Sequence, residues 1–472
     1  MIPDDHPARA IWEFTGTLDL SSYLKKIKSV EGFPGRPAYE PRLLFSVWIY
    51  AISKGEGSAH EIERLCGFDP AYQWLTGMEV INHHTLSDFR VAHGEALDEL
   101  FSQVLGILTK EELVTLDRVT VDGTKVKAAA SASSFHHEKT LEAHLAEARQ
   151  QVAAVGDPRQ NPDNKRRQKA RQRAAQDRQD RMEKAKSELQ AILSTKKSED
   201  DRRKARVSET DPECRFMKEG NGGYAPCYNV QLTVDSANDI IIDAEVSQAV
   251  TDNGELTGAM KRAEKRTGSK PDQVVVDGGY TNHANIMSMS TEEIDLIGSF
   301  RDNSAMLDAQ YERRGIAAEY RNDAFRYDEV ADKFVCPAGQ DLLYISTDTR
   351  RPGTIQYMYR APAKVCAACE HQMKCFPGMK LQGRQVMRTV ELSPITAFRE
   401  KMETDEAKAI YSTRAKTAEF PNAWIKTKLG LRQFHVRGRE KTKQEALWVT
   451  ITYNIQQWIR LKWRPRWELR PE

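Results

Sequence analysis

The chain has 472 residues, several times the roughly 100–150 residues of a typical domain, so two or three structural units are expected. Hydrophobic residues make up 40% and charged residues 29%, proportions that are ordinary for a soluble globular protein. The formal net charge of +2 excludes a strongly basic chain, so any attraction to nucleic acid must come from local basic stretches.

No membrane or export segment is predicted. No apolar run approaches the roughly 20 residues that span a bilayer, and the N-terminus MIPDDHPARAIWEF lacks the basic and apolar regions of a signal peptide. We therefore expect a cytoplasmic protein without a membrane partner. The seven cysteines, three of them within 366–375, favour thiols and a metal site over a secreted disulfide framework.

Residues 1–112 are predicted to form an N-terminal helical domain. Pro41 suits a first helical turn, where its missing N–H costs nothing, and Gly55 can end the run. Between them, apolar residues recur at helical spacing: Leu43, Leu44, Val47, Trp48, Ala51 and Ile52. DNA binding through a helix-turn-helix and a packing or dimerisation role are equally open for this domain.

From residue 113 the pattern changes to that of strands. TLDRVTVDG alternates, with Val119 and Val121 on one side and Asp122 on the other. Further strands are predicted at YNVQLTV, DIIIDAEV, QVVVD and DLIGSF, with a helix at NGELTGAMKRAEKRT. This order predicts a mixed α/β core formed by 113–136 and 207–300, with its active carboxylates at or near strand ends.

Two aspartates are candidates for metal ligands. Asp122 in VDGTK and Asp277 in VDGGY each end a strand pattern and precede glycine, which leaves room for a phosphate or a metal. With a third carboxylate from a helix they would complete a two-metal site for phosphoryl transfer, and an all-oxygen set suits Mg²⁺ or Mn²⁺. A simple turn is the alternative for either Asp-Gly pair. Spacing alone does not exclude the neighbouring acids Asp117, Asp235, Asp243 and Asp272.

Residues 137–206 are predicted to be a basic helical insertion, a hairpin broken near GDPRQNPDN. Its Lys and Arg residues either contribute sequence-independent affinity for DNA or form ion pairs on a solvated helical face, and both alternatives are open. A second basic stretch runs from Trp424 to Lys443.

Residues 301–400 are predicted to be a cysteine-containing insertion with short strands at KFVCP, LLYIS and TIQYMYRA. Four cysteines in two knuckle-like segments fit a tetrahedral Zn²⁺ site of the zinc-ribbon kind: Cys336, Cys366, Cys369 and Cys375. His371 could replace one of them, and free cytosolic thiols are the alternative. Cys66, Cys214 and Cys227 are expected to be core residues.

Several motifs in order resemble the DDE transposases of bacterial insertion sequences. VTVDGTKVKAAAS resembles the first-Asp segment, DPECRFMKEGNGGYAPCYNVQLTVD the stretch into the next strands, and VVVDGGYTN the second-Asp segment. YSTRAKTAEFPNAWIK resembles the YREK signature, with an Arg-to-Glu spacing one residue longer than usual; the matching residues are Tyr411, Arg414, Glu419 and Lys426. RPAYEPRLL, HHTLSDFR and FHVRGREKTKQEALWVTITYNIQQW also resemble family segments, so the resemblance covers most of the chain.

The resemblance implies an α/β fold: an RNase H-like mixed sheet flanked by helices, with the helical domain and both insertions added and residues 401–472 completing the core. It implies that Asp122, Asp277 and Glu419 bind two divalent ions, cleave DNA at transposon ends and transfer the freed 3′-OH to target DNA. Arg414 and Lys426 would contact phosphates, and Tyr411 would lie near the scissile phosphate. The implied partners are DNA and a second copy of the chain, with no small-molecule substrate.

Glu419 is the least secure of the three carboxylates, because Pro421 follows it closely. A proline there indicates either a kinked helix or a new helix starting at that point. Glu440 and Glu445 are the alternatives. For the whole protein, a related nuclease without strand transfer and an inactive DNA-binding remnant are the competing functions.

Overall fold

The computed structural model describes residues 2–24, 38–92, 94–156, 165–220, 222–300, 304–377 and 382–468. The N-terminal part is helical, as the sequence predicts. Its helices are α1 (Pro7–Thr15), α2 (Ser21–Leu24), α3 (Pro41–Ser53), α4 (Ala59–Cys66), α5 (Pro70–Thr76), α6 (His83–Val91) and α7 (Gly94–Lys110). Pro41 stands in the first turn of α3, and Gly55 follows the helix with φ +79°.

The middle of the chain alternates strands and helices. In chain order they are β1 (Arg118–Lys127), β2 (Phe135–His136), α8 (Glu138–Gly156), α9 (Lys165–Thr195), α10 (Glu199–Lys204), β3 (Val207–Ser208), β4 (Arg215–Lys218), β5 (Tyr224–Asp235), β6 (Ile240–Ser247) and α11 (Leu256–Thr267). The strands predicted at YNVQLTV and DIIIDAEV are confirmed, and so is the helix that follows them. The predicted break near GDPRQNPDN falls mostly on residues 157–164, which lie outside the described residues.

The remaining elements begin with β7 (Gln273–Val276), α12 (His283–Thr291), β8 (Asp295–Gly298) and α13 (Ser304–Arg313). A strand-rich part follows: β9 (Arg326–Asp328), β10 (Lys333–Val335), β11 (Asp341–Asp348), β12 (Thr354–Arg360), α14 (Ala363–Ala367), α15 (Gln372–Cys375) and β13 (Gln385–Glu391). The chain ends in helices: α16 (Ser393–Glu403), α17 (Asp405–Ser412), α18 (Arg414–Thr427), α19 (Arg439–Trp458) and, after a π-helical turn at Ile459–Trp463, α20 (Arg464–Glu468).

Two compact units contain these elements. The first unit consists of residues 1–252, 258–271 and 415–472, and the second of residues 253–257 and 272–414. Of the helices that the structure describes, none combines the length and the apolar character that a membrane span requires.

The sheet of the first unit is antiparallel. β5 pairs with β1 over Asp235 to Cys227 and with β6 over Asn229 to Asp235, while β4 pairs with its first residues. Asp122 lies opposite Leu232 in the middle of β1, because β5 continues the pairing as far as Lys127. The prediction that Asp122 ends a strand is therefore wrong: the strand passes through Gly123.

Helix α19 packs against β6 on one side and against α3 and α7 on others. Most of its residues from Thr442 to Trp458 are buried. Asn454 is fully buried, and its side-chain amide donates to the backbone oxygen of Ile241 at 2.8 Å and accepts from the backbone N–H of Ile241 at 3.0 Å. One amide thus pairs with both backbone groups of a buried strand residue.

The helix α11 is fastened to β6 and α7 by a buried ionic cluster. Asp243 on β6 is completely buried and accepts from Arg262 Nε at 2.8 Å and Arg266 Nε at 3.0 Å. Arg266 also donates to Asp98 on α7 at 2.7 Å. Because each buried charge has partners of opposite sign, the cluster satisfies groups that would be costly to bury alone.

The insertion forms the predicted helical hairpin. Helices α8 and α9 bury an apolar seam of Leu141, Leu145 and Ala148 against Met182, Ala185 and Leu189. Ion pairs cross between the helices, from Arg149 to Glu183 at 3.2 Å and from Lys186 to Glu142 at 3.0 Å. As residue numbers rise on one helix they fall on the other, so the two helices run antiparallel. Some of the basic residues therefore serve the hairpin itself.

The second unit contains a parallel pair and a separate antiparallel sheet. β7 and β8 pair in parallel, with Val275 and Ile297 buried against Ala407 of α17. The strands β13, β12, β11, β10 and β9 form a five-stranded sheet in that order, which packs on a core that includes Tyr320, Phe334, Leu342 and Tyr359. The predicted short strands of this region are confirmed.

Replacing Asn454 with Ala is expected to lower the free energy of unfolding by about 2–4 kcal/mol, because two buried backbone groups of Ile241 lose their partner. Urea unfolding of the full chain, followed by circular dichroism, measures the change. Gln176→Ala on the exposed surface of α9 is the control and should change stability by less than about 0.5 kcal/mol. Equal effects of the two variants would contradict the role given to Asn454.

Candidate active site

Asp122 is held by groups on both sides of its carboxylate. Oδ1 accepts from the backbone N–H of Gly123 at 3.0 Å, and Oδ2 accepts from the side-chain Nδ2 of Asn422 on α18 at 3.0 Å. The aspartate is half-buried, whereas Asn422 is buried. These contacts fix the carboxylate while leaving it accessible from one side. They also connect β1 to a helix 300 residues further along the chain.

Helix α18 carries two predicted site residues beside this contact. Glu419 precedes Asn422 by three residues and Lys426 follows it by four, so all three lie along one line of the helix. The Glu419 side chain is exposed. Burial lowers the pKa of Lys426, and the carboxylates of Glu219 and Asp122 are among the charges that oppose this shift. Asp122 and Lys426 thus interact electrostatically, and Glu419 lies on the same helical face as Lys426.

Pro421 lies inside α18, which is continuous from Arg414 to Thr427. A new helix therefore does not start at Pro421. The helix tolerates the proline in its interior even though the ring removes one N–H donor.

The opposite face of β1 carries a polar cluster that the sequence analysis did not identify. The Oδ1 of Asp252 accepts from Asn229 Nδ2 at 2.6 Å and Gln231 Nε2 at 2.7 Å, and lies 3.4 Å from the Nζ of Lys125. A Cβ on Gly123 would lie 2.5 Å from both Asp252 Oδ1 and Gln231 Nε2. A larger residue at position 123 would therefore displace these polar side chains. The alternation of polar residues along the buried strand YNVQLTV is the sequence feature from which this cluster could have been predicted.

Asp277 is the first residue after β7, so its predicted place at a strand end is confirmed. Its Oδ1 accepts from the backbone N–H of Gly279 at 2.7 Å, and its backbone oxygen accepts from Tyr280 N and Thr281 Oγ1. The side chain is half-buried. The tight turn at residues 277–281 therefore holds the carboxylate at the end of the strand.

Tyr411 and Arg414 belong to the same unit as Asp277. The hydroxyl of Tyr411 lies 3.0 Å from Ser299 Oγ, just beyond β8, and its ring packs near Val275 and Ile297. Arg414 opens α18 and is half-buried. Asp122, Glu419 and Lys426 belong to the other unit.

Two of the competing acids have structural partners. Asp235 is buried and accepts from the backbone N–H groups of Thr115, Leu116 and Ala237, and Asp243 pairs with two arginines. Both carboxylates therefore form hydrogen bonds or ion pairs that stabilise the fold.

Glu445, one of the alternatives to Glu419, also has structural hydrogen-bond partners. It is 6% exposed, and it accepts from the backbone N–H groups of His435 and Val436. Its Oε1 lies 2.6 Å from His435 Nδ1, and this contact raises the pKa of His435 above its usual value near 6.5. Glu440 lies exposed in the first turn of α19. Of the candidates for a third carboxylate, Glu419 is the one on the helix that contacts Asp122.

The four predicted zinc ligands line one cavity of about 30 Å³, together with His371. Cys336 Sγ accepts from Gln340 N at 3.3 Å, and Cys366 Sγ accepts from Arg384 N at 3.4 Å. Burial raises the pKa of Cys375 to about 11, and the other three thiols add to the rise. Among the described residues, the groups whose ligand atoms all lie within 4.8 Å of one another are two histidine–glutamate clusters, and the cysteine set is not one of them.

Two segments of the chain match transposase families. Residues 335–459 match the family described as Transposase DDE domain, and residues 1–92 match the one described as Transposase domain (DUF772). These two matches, near the two ends of the chain, support an insertion-sequence DDE transposase. As a DNA transposase it binds DNA and uses divalent metal ions to break and join phosphodiester bonds.

Other comparisons add little to the identity of this transposase. No curated protein matches it. One matching solved structure is the cryo-EM structure of piggyBac transposase synaptic complex with hairpin DNA, which is 8% identical over 96% of this chain and 74% of that chain, with a TM-score of 0.33. At this sequence identity and TM-score, nothing about the present chain follows from that structure.

His435→Gln is expected to destabilise the transposase most below about pH 6.5, where histidine is charged in both the folded and unfolded states. Since the folded pKa is raised, this contribution disappears as the pH rises through that value. The ring is 46% exposed, so the difference should be at most about 1 kcal/mol. Urea unfolding between about pH 5.5 and pH 9 measures it. A difference between variant and parent that does not change with pH would show that the Glu445 contact is not ionic.

Proposed function

We propose that this transposase cleaves DNA at the ends of its insertion sequence and joins the freed 3′-OH to target DNA, with Asp122, Asp277 and Glu419 as metal ligands. The hydrogen bond from Asn422 to Asp122 carries the proposal. It positions α18 so that Glu419 and Lys426, the Glu and Lys of the YREK-like segment, lie one turn before and one turn after the residue that contacts Asp122.

The residues fit a hard divalent cation. The three proposed ligands offer carboxylate oxygens, which Mg²⁺ and Mn²⁺ prefer. Asp122 and Asp277 are each held by a backbone N–H and stay half-buried, so they are oriented without being closed off. When bound, a pair of such ions activates the attacking oxygen and stabilises the leaving oxygen in phosphoryl transfer. We propose Mg²⁺ as the physiological ion.

Asn422 acts as a positioning residue in this proposal. Its amide donates to Asp122 Oδ2 and also to the backbone oxygen of Ala418, one turn earlier on α18. The orientation of the Asp122 carboxylate is therefore coupled to the turn that carries Glu419.

Phosphate contacts are proposed for Lys426, Arg414 and Tyr411. Lys426 is partly buried near Asp122, so its charge is poorly solvated and would gain from a phosphate beside it. Arg414 suits bidentate phosphate binding, and the Tyr411 hydroxyl is held at Ser299. Because transposition joins two DNA ends, we propose that the transposase acts as a homodimer on DNA.

We also propose an RNase H-like core. The chain supplies the antiparallel strands β1, β5 and β6, then α11, then the parallel strands β7 and β8 with α12 between them. This order of elements supports the proposal, with the helical hairpin inserted after the first strand.

Asp122→Asn is expected to reduce Mg²⁺-dependent cleavage of DNA carrying the ends of the element by more than about 100-fold, since loss of outer-shell partners alone costs 10–100-fold. Asp277→Asn and Glu419→Gln should reduce the cleavage rate to the same extent. Asn422→Ala should reduce it by about 10–100-fold. Cleavage of labelled DNA that carries the sequences flanking the gene measures the rates.

Glu440→Gln is the matched control for these variants and should keep full cleavage, because Glu440 lies exposed on α19. DNA binding by every variant should persist. Retained cleavage by Asp122→Asn would refute its role as a ligand. Cleavage without strand transfer in the parent protein would identify a nuclease, and DNA binding without cleavage would identify an inactive remnant.

We further propose a structural Zn²⁺ site at Cys336, Cys366, Cys369 and Cys375, in a zinc-ribbon-like insertion. The shared cavity and the N–H groups that donate to two of the sulfurs support it. The thiols would have to move inward and lose their protons on binding.

Replacing Cys366 with Ser is expected to remove one equivalent of zinc per chain and to lower the melting temperature, because structural zinc contributes directly to folding. Metal analysis and cobalt substitution measure this, since cobalt bound to thiolates gives a strong sulfur-to-metal absorption. His371→Gln should keep the metal if all four cysteines bind it. Four freely reactive thiols and no thiolate-bound metal in the parent protein would rule the site out.

A further inference from the structure

A cluster of two histidines and a glutamate lies where the helical hairpin leaves the rest of the first unit. His136 is on β2, His144 is on the second turn of α8, and Glu209 directly follows β3. All three side chains are partly buried, with exposures of 24%, 28% and 32%. Two strands and a helix, or the residue next to them, thus bring side chains of the kinds that bind metals close together.

The distances within this cluster suit a small ion. Glu209 Oε2 lies 2.8 Å from His144 Nδ1 and 3.7 Å from His136 Nε2. The two imidazole rings are nearly perpendicular, with centroids 5.1 Å apart. Ligands at about 2.0–2.1 Å from a tetrahedral zinc ion lie about 3.4 Å from one another, a value between the two distances given above. All three ligand atoms lie within 4.8 Å of one another.

The backbone holds these ligands independently of any ion. β2 and β3 pair through Phe135 with Ser208 and His136 with Val207. Glu209 N donates to Ser134 O at 2.9 Å, and the hydroxyls of Ser134 and Ser208 lie 2.7 Å apart. A preformed site of this kind loses little entropy when it takes up a metal.

We propose that His136, His144 and Glu209 bind a borderline divalent cation, with Zn²⁺ as the best fit, and that this ion fixes α8 on the β2–β3 ribbon. Two imidazole nitrogens and one carboxylate oxygen form a ligand set that zinc favours, and three protein ligands leave one coordination position for water. The ion attaches the first helix of the hairpin to the strands at its base.

A second cluster offers an internal comparison. His60, Glu63 and His83 also meet the 4.8 Å limit, but the rings of His60 and His83 are stacked at 3.8 Å and His60 is exposed. Glu63 contacts His83 as Glu209 contacts His144, but it also accepts from Asn82. Because this cluster has the same composition at a distant place in the sequence, His60→Gln is a matched control for His144→Gln.

The test is hydrogen exchange of the full-length protein, stripped of metal by a chelator and then titrated with Zn²⁺. In the parent protein and in His60→Gln, zinc should slow exchange at least about tenfold in residues 138–145 and 205–209. In His144→Gln and Glu209→Gln the slowing should be absent while circular dichroism shows an unchanged fold. Cobalt titration separates this site from the cysteines, because histidine and carboxylate ligands lack the sulfur-to-metal absorption.

Two results would overturn the proposal. Zinc without effect on exchange at the hairpin base in the parent protein would show that the three side chains form only an ion-pair cluster. Equal slowing in His144→Gln and the parent protein would place the zinc effect elsewhere.

Discussion

The burial of helix α19 is the constraint on which the first unit depends. A helix that packs against β6 on one side and against α3 and α7 on others has no solvent-facing stripe for much of its length, so its polar residues need partners inside the protein. Asn454 binds the backbone of Ile241, and the indole N–H of Trp448 donates to Arg90 O at 3.1 Å. The N-terminal helices and the sheet therefore share one core.

Strand β1 holds the chain directly after the proposed catalytic helix α18. The segment between α18 and α19 runs beside the end of β1, where Lys127 N donates to Arg432 O and Phe434 N donates to Lys127 O. Two backbone hydrogen bonds thus fasten the chain directly after α18 to the strand that carries Asp122. The contact between Asn422 and Asp122 is one part of a longer junction between α18 and β1.

Periodicity predicted most elements, because the strands and helices of this chain have clear apolar patterns. It misplaced Asp122, since Gly123 suggested a strand end while β5 continues the pairing to Lys127. The glycine instead makes room for the side chains around Asp252. Asn422 could not be predicted, because its partner is 300 residues away and no local pattern records that contact. The cysteine spacing did identify residues that line one cavity, whereas His136, His144 and Glu209 have no spacing signature.

The length of the helical hairpin amplifies small rotations at its base. Helix α9 has 31 residues, so at a rise of 1.5 Å per residue it is about 46 Å long. A rotation of only about 10° at its base would move the far end by about 8 Å over that length. The basic sequence RRQKARQR lies at that far end, whereas ion pairs from Lys184 to Glu213 and from Glu188 to Arg215 hold α9 near its base. The stiffness of this base therefore limits how far a concentrated positive charge can move.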